Sequence, residues 1–129
     1  MARKPSPQPT QVELEILHLL WEHGPSALGQ IHKAVSASSE RAYSTTRKMI
    51  QVMCEKGLVT SDESVRPQLY AAVTSQTRTQ LNLLEDLVQR AFGGSTNKLV
   101  MSLLAAKRVN LDEVQEMQRL VQKAKGEKP

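Results

Sequence analysis

The first part of the chain alternates polar and apolar residues with a helical period. Thr10 and Glu13 have the spacing of a capping box, in which the N-cap hydroxyl and the N3 carboxylate each accept a hydrogen bond from a free backbone N–H. Apolar residues then recur every three or four positions up to His23, where a Gly-Pro pair follows. The pattern therefore predicts a first helix over about residues 10–23.

Two more helices are predicted before the period changes. Ser26 is a candidate N-cap for a short second helix, which ends in the serine-rich stretch at residues 36–39. A third helix is predicted from about Ala42 to Lys56 and is closed by Gly57, because glycine readily adopts the left-handed conformation that ends helices. The third helix has an apolar face formed by Ala42, Thr46, Met49, Ile50 and Met53, and a polar face formed by Ser44, Arg47, Lys48, Gln51 and Glu55.

After Gly57 the chain contains short β-type runs. Residues 58–61 and 69–73 are predicted as two strands, and the polar segment between them, with Pro67, is predicted to connect them as a hairpin. Three helices followed by a hairpin are typical of a winged helix-turn-helix. We therefore predict a mainly α fold with a small β-hairpin, in which a winged helix-turn-helix head precedes a C-terminal helical dimerisation region.

The pattern is helical again from residue 74. Helices are predicted over about 75–92, around Leu99 to Leu104, and from Asn110, which forms a second capping box with Glu113. Three amphipathic helices without a core of their own need a partner surface, and a second copy is the natural partner. The residues predicted to make the dimer are Leu81, Leu84, Val88, Leu99, Leu103, Val114, Met117 and Leu120.

These patterns divide the chain into three parts. Residues 1–9 contain three prolines and almost no apolar side chains, so they are predicted to be a flexible arm. Residues 10–73 form the predicted DNA-binding head. Residues 74–129 form the predicted dimerisation region, which ends in a flexible basic segment.

Composition excludes several classes of protein. The net charge is +4, but residues 1–73 carry eight basic and seven acidic residues, so DNA binding would depend on a local arrangement of charge. Aromatic residues make up 3%, too few for a base-stacking platform. The sequence has no secretory signal, and its single cysteine allows neither an internal disulfide nor a zinc site, so we expect a cytoplasmic protein. It shows no catalytic constellation and no cofactor or metal motif, so we expect neither an enzyme nor a small-molecule substrate.

The third helix has the residue types that a recognition helix needs. Short polar side chains near its start allow close approach to the bases, and longer donors reach base edges and phosphates. Arg47 is the candidate for base contact, whereas Arg41, Lys48 and Lys56 are candidates for phosphate contact. Arg66, at the predicted wing tip, either touches the DNA or only adds solubility. The complete predicted interface is Arg41, Tyr43, Ser44, Thr45, Arg47, Lys48, Gln51, Lys56 and Arg66.

Two alternatives remain open for this face. Any surface helix shows polar residues opposite an apolar stripe, so the face could simply be solvated. A winged helix can also serve as a protein–protein module that never touches DNA, and the small net charge of the head favours that alternative.

Over about residues 10–122 the chain resembles the penicillinase-repressor family, the BlaI and MecI repressors with the copper-responsive CopY repressors as relatives. The segments that carry the resemblance are Glu13-Leu14-Glu15-Ile16-Leu17, Leu20-Trp21-Glu22, Ala42-Tyr43-Ser44-Thr45-Thr46-Arg47, Glu55-Lys56-Gly57-Leu58-Val59, Tyr70, and Leu99-Val100 after Gly93-Gly94. Their order and spacing, more than any one segment, indicate the family.

The resemblance implies a dimeric repressor whose two recognition helices bind an inverted-repeat operator. It also implies release by proteolysis in the C-terminal region, triggered by a membrane sensor-protease. The bond cut in close relatives is an Asn–Phe pair, and the matching pair here, Ser102-Leu103, departs from that pattern. The C-terminal end lacks the cysteines that bind copper in the CopY branch, so copper sensing by that route is not expected.

Overall fold

Six helices and three short strands form the structure, a computed structural model that describes residues 8–37 and 40–126. The elements run in the order α1 (Gln11–His23), β1 (Ser26–Ala27), α2 (Leu28–Ser36), α3 (Tyr43–Glu55), β2 (Val59–Asp62), β3 (Leu69–Ala72), α4 (Gln76–Ala91), α5 (Thr96–Ala105) and α6 (Leu111–Gly126). This mostly helical chain with a small antiparallel sheet confirms the predicted fold class.

Both predicted capping boxes are present. Thr10 Oγ1 accepts from the Glu13 N–H at 3.2 Å, and Glu13 Oε1 accepts from the Thr10 N–H at 2.9 Å. At the start of α6, Asn110 Oδ1 accepts from the Glu113 N–H at 2.8 Å, and Glu113 Oε1 accepts from the Asn110 N–H at 3.3 Å. Each box satisfies two backbone donors that a helix start leaves free.

The end of α3 is the one predicted at Gly57. Gly57 has a φ of +78° and its N–H donates to Cys54 O at 3.1 Å, while the Leu58 N–H donates to Met53 O at 2.9 Å. These two bonds form a Schellman motif, which turns the chain out of the helix and into β2.

The prediction that Ser26 caps α2 is wrong. Ser26 lies in β1, its hydroxyl donates to Gly24 O at 2.9 Å, and the N-cap of α2 is Ala27. Alanine has no side-chain acceptor, so only the return bond is made, from the Ala27 N–H to Gln30 Oε1 at 2.9 Å. Ser26 is taken up by the sheet because its backbone pairs with Tyr70, far along the chain.

The predicted hairpin is confirmed, and it belongs to a three-stranded sheet. All pairs are antiparallel and the strand order is β1-β3-β2, so β3 is the central strand. Val59 pairs with Ala72 and Asp62 pairs with Leu69, which places residues 63–68 at the wing tip.

The core lies under α1, α2, α3 and β2. Its buried side chains are Ile16, Leu17, Leu20, Ile31, Val35, Ile50, Met53 and Val59. Trp21 packs against this cluster and its indole N–H donates to Thr74 O at 2.9 Å. Helix α3 is therefore held by its apolar face, which leaves its opposite face uncovered.

The chain divides into two compact units, one up to Leu83 and one from Leu84 onward. Most of the arm predicted for residues 1–9, up to residue 7, and residues 127–129 of the predicted C-terminal segment lie outside the described residues. Among the residues that the structure describes, none of the helices has the length and apolar character needed to cross a bilayer.

Candidate nucleic-acid interface

Helix α3 separates its side chains as the sequence predicts, except that Ala42, predicted for the apolar face, is the exposed N-cap just outside the helix. Thr46, Ile50 and Met53 are buried and attach the helix to the core. The polar side chains on the other side are all exposed, and they are Tyr43, Ser44, Thr45, Arg47, Lys48 and Gln51. At about 100° per residue, Arg47, Lys48 and Gln51 lie on the side of α3 away from the buried set, whereas Tyr43 lies at its edge, about 20° around the helix axis from Ile50. The structure thus brings six of the nine predicted interface residues together on one exposed surface.

The start of α3 is fastened to α2. His32 Nδ1 lies 2.8 Å from Thr46 Oγ1, and Thr46 is fully buried. The rings of His32 and Tyr43 meet edge to face, with centroids 5.3 Å apart. A helix that presents short side chains to DNA needs a fixed first turn, and these two contacts fix the first turn of α3. Sequence reasoning did not identify this role for His32, because its partners belong to the next helix.

Arg41 lies just before α3 and is partly buried. Its Nη1 donates to Val35 O at 3.3 Å, in the last turn of α2. The C-terminal carbonyls of a helix carry partial negative charge and attract a cation. Arg41 therefore links the end of α2 to the segment that leads into α3, beside the exposed surface of α3.

Lys56 is placed differently from the other predicted phosphate contacts. Its Nζ donates to Glu13 Oε1 at 2.8 Å, and the side chains of Lys56 and Glu13 are only 10% and 7% exposed. The Lys56 ammonium is thus paired with a carboxylate and covered. This pairing leaves Arg41, Arg47 and Lys48 as the cations at or near the face of α3.

The wing tip carries charges of both signs. Arg66 is exposed in the connection between β2 and β3. Asp62 accepts from the Ser64 N–H at 3.0 Å and from the Ser64 hydroxyl, and these hydrogen bonds hold the pKa of the Asp62 carboxyl below its ordinary value. Glu63 follows Asp62 in the chain, so Arg66 is the basic group of a tip that holds one acidic residue and directly follows another.

Tyr70 connects the wing to α3. It lies on β3, half-buried against the core, and burial raises the pKa of its phenol, with a further upward contribution from Cys54. Arg47 acts on the same phenol in the opposite direction. Burial, with Glu55 nearby, also raises the pKa of the Cys54 thiol, so Cys54 has the character of a half-buried structural residue.

An open groove of about 600 Å³ runs beside this face. One wall is the start of α1 and the other is α3. The lining residues are Thr10, Val12, Glu13, Ser44, Thr45, Lys48, Met49 and Val52. The start of α1 therefore lies close to the exposed side chains that begin α3.

The residues predicted to make a dimer differ in exposure. Leu81, Leu84, Met117 and Leu120 are each about half exposed, Leu99, Leu103 and Val114 are partly covered, and Val88 is 6% exposed. Other large apolar side chains are exposed nearby, and these are Leu87, Val100, Met101, Leu104, Leu111 and Val121. A groove of about 280 Å³ between α5 and α6 has mainly apolar walls.

The Ser102-Leu103 bond lies inside α5. Ser102 is exposed, Leu103 is partly covered, and Ser102 O accepts from the Ala106 N–H at 2.9 Å. A protease could reach this bond only after the helix opens locally. Within residues 8–37 and 40–126, no three His, Cys, Asp or Glu side chains come together as a metal site.

Comparison with known proteins points to one family. The family model described as penicillinase repressor matches residues 9–123. The chain is 21% identical to the penicillinase repressor of Bacillus licheniformis over 125 residues, which cover 97% of this chain and 98% of the relative. It is 28% identical to the transcriptional regulator BlaI of Mycobacterium tuberculosis over 110 residues, which cover 84% of this chain and 78% of the relative.

Proposed function

The chain belongs to the penicillinase repressor family, and from that premise we propose that it is a cytoplasmic, dimeric, sequence-specific DNA-binding repressor. In this proposal α3 of each copy enters the major groove at one half of an inverted-repeat operator. The supporting observation is the exposed polar and cationic face of α3, opposite a face that is buried in the core.

The proposed contacts follow from where the side chains lie. Arg47 is exposed one turn into α3 and is assigned to base readout, since a guanidinium can bind guanine O6 and N7 together. Lys48, Arg41 and Arg66 are assigned to phosphate contacts. The shorter or uncharged contacts in this assignment are Tyr43, Ser44, Thr45 and Gln51. Lys56 is left out because Glu13 holds it.

The proposed head is residues 10–73, and the proposed dimerisation region is residues 74–129. The exposed leucines, valines and methionines of that region support this assignment. A standard interface covers about 800 Å² on each partner, and apolar surface gains about 25 cal/mol per Å² when it is buried. Pairing of two dimerisation regions would cover apolar side chains that are otherwise exposed to water.

Release from DNA is proposed to follow proteolysis in the C-terminal region by a membrane sensor-protease, with Ser102-Leu103 as the candidate bond. Cutting there would separate α6 from α4 and from most of α5. Two heads that no longer share a dimer would bind the operator independently and therefore more weakly. No change in α3 is needed for release.

Selection of DNA by the full-length protein tests the proposal. The protein is incubated with random-sequence duplexes, bound duplexes are amplified over several rounds, and the enriched sequence is footprinted. We expect an inverted repeat with half-sites about 10 base pairs apart, or a multiple of that distance. A variant with Arg47→Glu and Lys48→Glu, checked for unchanged helix content, is the matched control and should enrich nothing.

The rival function gives a different result. If α3 faces a protein partner, the wild-type chain enriches no sequence, although it is folded and dimeric. Enrichment of one sequence as a single, non-repeated site would support DNA binding and contradict the two-fold arrangement.

A further inference from the structure

One carboxylate oxygen joins the start of α1 to the end of α3. Glu13 Oε1 accepts from the Thr10 N–H at 2.9 Å and from Lys56 Nζ at 2.8 Å. Lys56 is also the C-cap residue of α3, and its own N–H donates to Val52 O at 2.9 Å. The capping box of α1 and the last turn of α3 therefore share the same acceptor.

The surroundings of this pair make its geometry strict. Both side chains are almost completely covered, so water can replace the partner of either charge only to a small extent. Apolar contacts tolerate sliding because they have no preferred direction, whereas a covered ion pair is stable only at hydrogen-bond distance. Glu13 also lines the groove between α1 and α3, together with Val12 and Met49. The pair thus ties a residue in one wall of this groove to the C-cap of the helix that forms the other wall.

Stability alone does not explain such a pair. Removing two charges from water costs free energy that their attraction only partly returns, and well-packed apolar residues often stabilise a core equally well. A fixed geometry has value where a helix must be placed accurately, and binding groups generally have to be held within about 0.5 Å and 10–20° of the productive position. Helix α3 is the element that needs such accuracy here.

We infer that Glu13 and Lys56 are positioning residues, which set the place of α3 relative to α1 and thereby sharpen its discrimination between DNA sequences. This inference rests on the proposed function for its last step. The lysine that the sequence offered as a phosphate contact acts, on this account, from inside the protein.

The test uses the full-length chain with Glu13→Gln, Lys56→Met, and both changes together. Glutamine at N3 keeps the capping box, and methionine keeps most of the apolar stem of lysine, so the double variant removes both charges and little else. Each single variant leaves one covered charge without its partner and should be less stable than the double variant. The control is Ile16→Val, a small core change in α1 that keeps the ion pair.

The first measurement is the ratio of affinities for a duplex selected by the wild-type protein and for a random duplex of the same length. We expect the double variant to lose about tenfold in this ratio, comparable with the loss of one base contact. Ile16→Val should keep the wild-type ratio although it lowers stability. An unchanged ratio in the double variant, or an equal loss in Ile16→Val, would overturn the role in recognition.

The second measurement needs no DNA. Spin labels are attached to cysteines introduced by Gln11→Cys and Gln51→Cys, and Cys54→Ser removes the native thiol. Labelled protein is diluted with unlabelled protein, and the label-to-label distances report the distribution of distances between α1 and α3. We expect the double variant to broaden this distribution. An unchanged width would overturn the positioning role itself, whereas a wild-type protein that selects no duplex would overturn only the proposed function.

A second variant serves if the double variant does not fold. Lys56→Arg keeps the charge but changes the length and shape of the side chain that reaches Glu13, so it should broaden the same distribution. An unchanged width in Lys56→Arg would also overturn the inference.

Discussion

The two units of the chain, up to Leu83 and from Leu84 onward, differ in how far their apolar side chains are buried. The first unit contains the eight-residue buried cluster around Ile16 and Ile50. Of the thirteen large hydrophobic side chains that are exposed among the described residues, nine lie in the second unit, where Val88 is the buried one. The first unit therefore has a buried core of its own, whereas the second has exposed apolar surface that would gain free energy if a partner covered it.

Because of this contrast, the two units should respond differently to mutation. In the first unit, a change in an apolar residue acts on the stability of one chain. In the second, if the proposed dimer forms there, a change in an exposed apolar residue should act on association between chains. A repressor built this way can lose its operator without any damage to its recognition helix.

The largest expected effect comes from breaking the association. Leu84 and Leu120 are both about half exposed, so Leu84→Asp with Leu120→Asp should place two charges in the proposed dimer contact and give a monomer. A monomer has half of the two-fold contacts, and its affinity for the operator should fall by about 10²- to 10⁴-fold. Sedimentation velocity reports the oligomer, and titration of the selected duplex reports the affinity.

The matched control is Asn82→Asp with Gln115→Asp, which adds the same charge at exposed polar positions of α4 and α6. The control should remain a dimer. Trp21 fluorescence should be unchanged in both variants, because Trp21 bonds to Thr74 within the first unit. A Leu84/Leu120 variant that stays dimeric, or a monomer with wild-type affinity, would show that the tail does not pair the heads.

Comparing a core change with a surface change should show the difference between the two units most clearly. Ile31 is fully buried, so Ile31→Ala should lower the free energy of unfolding of the first unit by about 2–5 kcal/mol. Leu104→Ala, at an exposed position of α5, should instead weaken the dimer by about 1 kcal/mol or more. Denaturant unfolding followed by Trp21, together with the dimer dissociation constant, distinguishes them. If Leu104→Ala destabilised the Trp21 transition and left the dimer intact, the contrast between the units would fail.

Features that depend on residues close together in the sequence were predictable. Both capping boxes, the helix end at Gly57 and the two faces of α3 depend on residues within a few positions of each other, and all of them are confirmed apart from Ala42, which is the exposed N-cap of α3. The hairpin was also predictable, because a run of turn residues separates two β-type runs. Local chemistry therefore gave the order of the helices and of the two hairpin strands, and the exposed surface of α3.

Long-range pairing was not predictable in the same way. Strand β1 exists because Ser26 pairs with Tyr70, and no pattern near Ser26 indicates that partner. Glu13 and Lys56 are 43 positions apart, so the sequence could show each charge but not that they meet. For the same reason His32 gave no sign that it contacts Thr46. Such contacts follow from the packing of the whole unit.

Within the first unit, Arg47→Ala should lower the discrimination between DNA sequences and have little other effect. Arg47→Ala should cost about 1–3 kcal/mol on the selected duplex and have a small effect on random DNA, because a base contact carries the discrimination. Competition titrations at one fixed salt concentration measure both values. An equal loss on both DNAs would make Arg47 a phosphate contact.

The smallest expected effect is in salt dependence. Lys48→Ala and Arg66→Ala should each weaken binding to all sequences and reduce the slope of log affinity against log salt by about 0.9, the value for one phosphate contact. The double variant Glu13→Gln with Lys56→Met is the matched comparison, since it removes a pair of opposite charges, and its slope should equal that of wild type. If the double variant flattened the slope and Lys48→Ala did not, the assignment of cations to the interface would be reversed.

The number of chains on one operator tests the central claim most directly. The full-length chain, 14.4 kDa, is titrated onto the selected duplex, and sedimentation equilibrium gives the mass of the protein alone and of the saturated complex. The account predicts a dimer in free solution and two chains on each duplex. A free monomer that saturates the duplex as a single chain would contradict it.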